Sequence, residues 1–339
     1  MRQEEFEALF SARWEQFESW LVTGGRRGKN GAGKGRDSGG KPVAAGPTLD
    51  AADVPRCYRE ICQHLALARD REYSADLIDR LSGLALNGHH LLYSARGALW
   101  TRLGQFIVAG FPAQVRREAR LVCLAAALFF GPLALLTVTL QRYPDFAYVM
   151  LDRQQVDSFE AMYGKQARTL GRKRDADSDV AMFGFYIYNN IGIGFQTFAG
   201  GVLFGLGTLF YLLFNGGYIG TIMGHVIQAG FAENFFSFTS GHSAFELLAI
   251  VLSGAAGLRL GISLIAPGRR SRGEALRRAA RSASLLISGA AGMFLVAAGI
   301  EAFWSPLRSI PPMMKYGVGL ALWCVLLAYF LFGGRGRPA

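Results

Sequence analysis

Cysteine is scarce in this chain. Four residues, Cys57, Cys62, Cys123 and Cys324, are scattered over 339, and none forms a CxxC pair. That spacing excludes a disulfide scaffold and a cysteine-based zinc module. Complete catalytic signatures are missing too: the sequence holds no HExxH, no GxSxG and no serine–lysine pair. Charged residues make up only 18% of the chain. A cleavable leader is not expected, because residues 1–22 carry charge throughout. Strand-like alternation is absent from the long apolar stretches, which argues against a membrane β-barrel.

What the chain has instead is apolar length. Fifty-one per cent of residues are hydrophobic, and mean hydropathy is +0.22 despite 43 glycines. A bilayer span needs roughly 20 apolar residues, and the sequence supplies that length several times. The spans must be helical, because lipid offers no partner for a free backbone group. The fold class is therefore all-α: a polytopic membrane bundle of about six helices, with a helical N-terminal region on the cytosolic side.

The formal net charge is +11. The arginines sit beside apolar runs and in one linker, which is how positive charge fixes membrane orientation. No nucleic-acid motif accompanies them, so no nucleic-acid partner is expected.

Residues 1–23 repeat Phe6, Phe10, Trp14, Phe17 and Leu21 at helical spacing, an amphipathic helix. Residues 24–50 read as a flexible Gly/Lys/Arg-rich linker. It contains "GKNGAGKG" from Gly28, close to a phosphate-binding loop. Gly35 stands where the magnesium-ligating hydroxyl belongs, and no strand precedes it. No cofactor is expected there. Residues 51–115 form a cytosolic or interfacial helical region, with Pro112 ending its last helix. His89 and His90 are sequence neighbours that point about 100° apart on a helix, unsuited to pairing as ligands.

The bundle occupies 116–334, with spans expected at about 121–140, 188–214, 217–236, 244–266, 283–304 and 316–333, a turn at "NGG" (215–217), and an outer loop at 141–186. Arg116, Arg117 and Arg120 precede the first span. Six arginines against one glutamate fill 267–281. Six crossings put both clusters, and both termini, on the cytoplasmic side of a bacterial inner membrane.

This topology gathers polar residues at one depth. Glu246 begins an inward span, Glu301 ends an outward one, His242 lies one turn from Glu246, and Asn189 and Asn190 open the second span. His225 falls within the third. Ionisable groups in a membrane are costly and face a bundle interior or a wet cavity, so these six are the candidate site. HxxxE alone offers two metal ligands, with Glu301 a candidate third, whereas catalytic zinc has three; no metal or catalytic role is assigned. Gly201/Gly205, Gly216/Gly220, Gly220/Gly224 and Gly257/Gly261 are GxxxG spacings, suited to a tight bundle and to a homodimer.

Several segments together resemble the stage II sporulation protein M family: "LYSARG", "FPAQVRREAR", "YNNIGIGFQTFAGG", "GHSAFELLAIVLSGAAGLRLG" and "GIEAFWSP". Glu246 and Glu301 fall at its "FE" and "EAF" positions. The resemblance implies an integral membrane scaffold or assembly protein, not an enzyme, that recruits cell-envelope partners. In endospore formers the named member is an assembly component of a peptidoglycan-degrading complex at the engulfing septum. Relatives elsewhere are similar to partners of MoxR-type ATPases and von Willebrand A-domain proteins. Membrane lipids are the remaining partner. A transporter or channel using Glu246, Glu301 and His242 is the competing function.

Overall fold

The computed structural model describes residues 1–27, 49, 53–93, 95–164, 170–171 and 179–335, and every regular element among them is helical. The glycine-rich stretch after Arg27, including the "GKNGAGKG" motif, lies outside the described residues. The chain divides into two compact units, Met1–Gly104 and Gln105–Ala339.

The first unit contains α1 (Gln3–Arg27), α2 (Val54–Asp70), α3 (Ala75–Tyr93) and α4 (Ala95–Gln105). Phe6, Trp14 and Phe17 of α1 are buried, with Phe10 and Leu21 half-buried beside them. The stripe expected on residues 1–23 is thus one wall of a shared core, facing Cys57 and Ile61 of α2 and Leu81 of α3. Polar groups fix the register. Trp14 Nε1 donates to His64 Nδ1 at 3.0 Å, and Arg13 pairs with Glu60 at 3.1 Å. On α4, Leu99, Trp100 and Leu103 form an exposed apolar face, as suits a membrane surface.

The second unit opens on a π turn (Phe106–Gly110) that runs into α5 (Phe111–Arg117). Pro112, expected to end a helix, sits in the first turn of one, where its missing N–H costs nothing. Then follow α6 (Ala119–Arg142), a 3-10 turn, α7 (Arg153–Tyr163), α8 (Asp179–Ala199), α9 (Leu206–Gln228), α10 (Ala232–Ile265), α11 (Arg272–Phe303) and α12 (Pro312–Phe332). The starts are chemically marked. Asp152 and Gln155 make a reciprocal capping box on α7, Ser271 caps α11, and Pro311 precedes α12.

Among the described residues, α6, α9, α10, α11 and α12 are long and apolar enough to cross a membrane. At 21 residues α8 has the length, but Asn189, Asn190 and Gln196 dilute its hydropathy.

The helix boundaries between 179 and 265 differ from the sequence expectation. No helix runs 188–214; the chain breaks after Ala199, and Phe204 and Gly205 take left-handed φ of 53° and 83° before α9 starts. The "NGG" at 215–217 is inside α9, not a turn. Its Gly216, with Gly220 and Gly224, lets the α9 backbone lie against Phe129, Leu133 and Thr137 of α6. Glycine there serves close approach, which a single sequence cannot tell from a turn. Thr137 Oγ1 and Gln141 Nε2 then donate across to the carbonyls of Gly220 and Gly224, at 3.1 and 3.0 Å. The expected span 217–236 is likewise cut, at Gly230 (φ 83°), and α10 begins at 232 rather than 244.

Helix α10 is the axis of the bundle. It is buried on all sides from Ala249 to Leu258, the mark of a central helix. Its Gly257 and Gly261 receive Gly201 and Gly205 backbone to backbone. All four GxxxG spacings therefore pack within the chain, and they give no ground for a dimer.

Candidate functional site

The alternating helices sort the polar residues to two ends. At one end, Arg116 donates to the Phe330 carbonyl at 2.8 Å, tying the start of the bundle to the close of α12. Glu118, buried at the α5–α6 junction, accepts from Ser282 Oγ at 2.6 Å and pairs with Arg259 at 3.4 Å. Glu118 gives Arg259 a partner that sequence reading did not supply, because 141 positions separate them and the helix pairing was unknown.

At the other end stands the acidic cluster. His242 and Glu246 are one turn apart on α10, and Glu301 approaches from the last turn of α11. One ligand atom from each lies within 4.8 Å of the others. The two carboxylates that the sequence left apart do meet. Asn190 of α8 donates to Glu301 Oε2 at 3.5 Å, and Asn189 donates to Asn190 Oδ1 at 3.0 Å. His225 does not join them. It faces Glu160 of α7, 3.2 Å away, because the real break at Gly230 moves it to the last turn of α9.

The imidazole of His242 is held from behind. Its Nδ1 is 2.9 Å from Ser305 Oγ, leaving Nε2 toward Glu246 Oε2 at 3.7 Å. The Ser305 carbonyl accepts from Lys315 Nζ at 2.7 Å. Lys315 is 0% exposed and lies over the Trp304 ring. Neither Ser305 nor Lys315 was a candidate in the sequence. The signal available was weak: a lysine three residues after a double proline reads as an ordinary flank of a span.

His242, Glu246 and Glu301 line one wall of a cavity of about 870 Å³. The rest is largely aromatic and aliphatic, including Phe130, Phe238, Leu247 and Trp323. The clustered Glu246 and Glu301 carboxylates and the His242 imidazole thus face a largely apolar chamber. Acids this close repel when both are charged. The arrangement suits sharing a proton or holding a cation.

The family described as Stage II sporulation protein M matches residues 121–306, from the start of α6 to just past Ser305. The chain belongs to the Stage II sporulation protein M family. The match includes Asn190, His242, Glu246, Glu301 and Ser305, and stops short of Lys315 and α12. Residues 4–94 match a separate family, Domain of unknown function (DUF8413), which covers α1 to α3. No curated protein and no solved structure gives a match. Stage II sporulation protein M is a membrane family and not a known enzyme family.

Proposed function

We propose that the chain is a multi-pass scaffold of the bacterial cytoplasmic membrane. Its arginine-rich end and both termini face the cytoplasm, and its N-terminal unit recruits envelope partners. The observation that carries this reading is a helical unit with its own aromatic core, matching its own domain family, attached to a bundle without a complete catalytic motif. MoxR-type ATPases and von Willebrand A-domain proteins are the partners to look for, with membrane lipids around the bundle. No catalysis is proposed. Crosslinked copurification of the full chain from native membranes tests it. The same envelope proteins should return in repeated preparations; recovery of the chain alone each time would sink the reading.

A second reading has a specific observation behind it: Glu246 and Glu301 meet at a cavity. On this reading the bundle passes a proton or small cation. Flux in liposomes should fall in Glu246→Gln and Glu301→Gln. No wild-type flux, or flux unchanged in both variants, removes it.

A further inference from the structure

We propose that His242, Glu246 and Glu301 bind one first-row divalent metal cation, Zn²⁺ or a close relative, with Ser305 as the positioning residue for the imidazole. The inference shares its cluster with the transport reading and does not depend on it, since equilibrium binding and flux are separate measurements.

The ligand set is the first argument. Three protein atoms, one imidazole nitrogen and two carboxylate oxygens, match the number that open zinc sites use, leaving further positions for water or an exogenous group. Ligand atoms around tetrahedral zinc stand about 3.4 Å apart, from bonds near 2.1 Å. The observed separations are all within 4.8 Å, and His242 Nε2 to Glu246 Oε2 is 3.7 Å. A nitrogen ligand and only three protein donors fit poorly with Ca²⁺, which takes 6–8 oxygens, or with Mg²⁺, which keeps an oxygen octahedron. Mixed imidazole and carboxylate suits the first-row transition cations and zinc.

The second argument comes from outside the ligands. A metal-bound histidine needs its other nitrogen held, so that tautomer and ring plane are fixed. Ser305 Oγ does this at Nδ1, 2.9 Å away. Ser305 is itself wholly buried, and its carbonyl is held by Lys315. Asn190 steadies Glu301 in the same way. Two of the three ligand groups, His242 and Glu301, thus come with support from a different helix or turn, an arrangement that a lone surface acid pair would not require.

Electrostatics is the third. Two adjacent carboxylates in an apolar bundle carry a repulsion and a desolvation cost. A dication bound between them offsets both. The remaining coordination positions would open on the 870 Å³ cavity, which gives the ion access.

The test is equilibrium binding by the purified full chain in detergent, with the affinity tag removed. Titration calorimetry with Zn²⁺ should give one site per chain. His242→Gln, Glu246→Gln and Glu301→Gln should each lose it, and Ser305→Ala should weaken it by about 10–100-fold, the usual effect of removing a ligand's supporting group. His225→Gln, at the separate pair with Glu160, should leave it unchanged. Because variants in a bundle can misfold, Co²⁺ is added to the wild type in parallel. Its spectrum should show nitrogen and oxygen ligation without thiolate charge transfer. No saturable wild-type binding, wild-type affinity retained in all three ligand variants, or a thiolate spectrum from the four cysteines would each overturn the proposal.

Discussion

Two polar pairs carry more than composition suggests. His64 lies among Phe6, Phe10 and Trp14, and its Nδ1 accepts from the Trp14 indole. Protonation there would turn an acceptor into a donor facing a donor. Burial pushes the imidazole below its ordinary 6.5, against a smaller upward pull from Glu60. The unfolded chain therefore takes up the proton first. Stability of the first unit is fully present above about pH 6.5 and falls as pH drops from there toward the folded value. Thermal melts followed through Trp14 fluorescence across that window check it; a flat profile would contradict it. In the bundle, Glu118 and Arg259 form the other informative pair. Glu118→Gln alone and Arg259→Gln alone should each destabilise, and the double variant should recover part of the loss. The expected coupling is about 0.5–3 kcal/mol, the range for residues sharing one network. Additive effects would mean that the 3.4 Å pair does not form.

At the scale of elements, glycine decides the packing. Gly220 of α9 lies on the Leu133 backbone of α6, and no space remains for a Cβ. Gly220→Ala should cost about 1–3 kcal/mol by overpacking, read as a lower melting temperature in detergent. Gly292 of α11 has open space around it, and Gly292→Ala should be neutral or slightly stabilising, as alanine favours helix. What the sequence disclosed follows the same division. Apolar length announced α6, α11 and α12, and the arginine clusters announced which ends belong together. The middle of the bundle was misread because glycine has two uses. The run Gly200–Gly207 breaks the chain, while "NGG" and Gly220 pack it, and only the neighbouring helix distinguishes them. The cluster was legible in part. His242, Glu246, Glu301 and Asn190 fell at one depth by counting crossings. His225 lies apart from them, beside Glu160, because its helix ends at Gln228 rather than running on to 236. Ser305 and Lys315 were out of reach, since they act on His242 through contacts across α10, α11 and α12.

At the scale of the whole molecule, the account is a bundle with a basic end and an acidic-site end, joined to a separately cored helical unit. Orientation is tested with cysteines placed at each end in a cysteine-free background. Ser271→Cys, beside the arginine loop, should react with an impermeant thiol reagent only after the membrane is opened. Ser309→Cys, between α11 and α12 at the other end, should react in intact cells. The reverse pattern would invert the topology and move the cluster to the cytoplasmic side. The central claim is that acids 55 positions apart in sequence meet in one site. The most direct measurement is thiol bridging of Glu246→Cys with Glu301→Cys in native membranes by a short bifunctional reagent. The account predicts an intramolecular bridge in the double variant that neither single variant forms; two thiols that label freely and never bridge would contradict it.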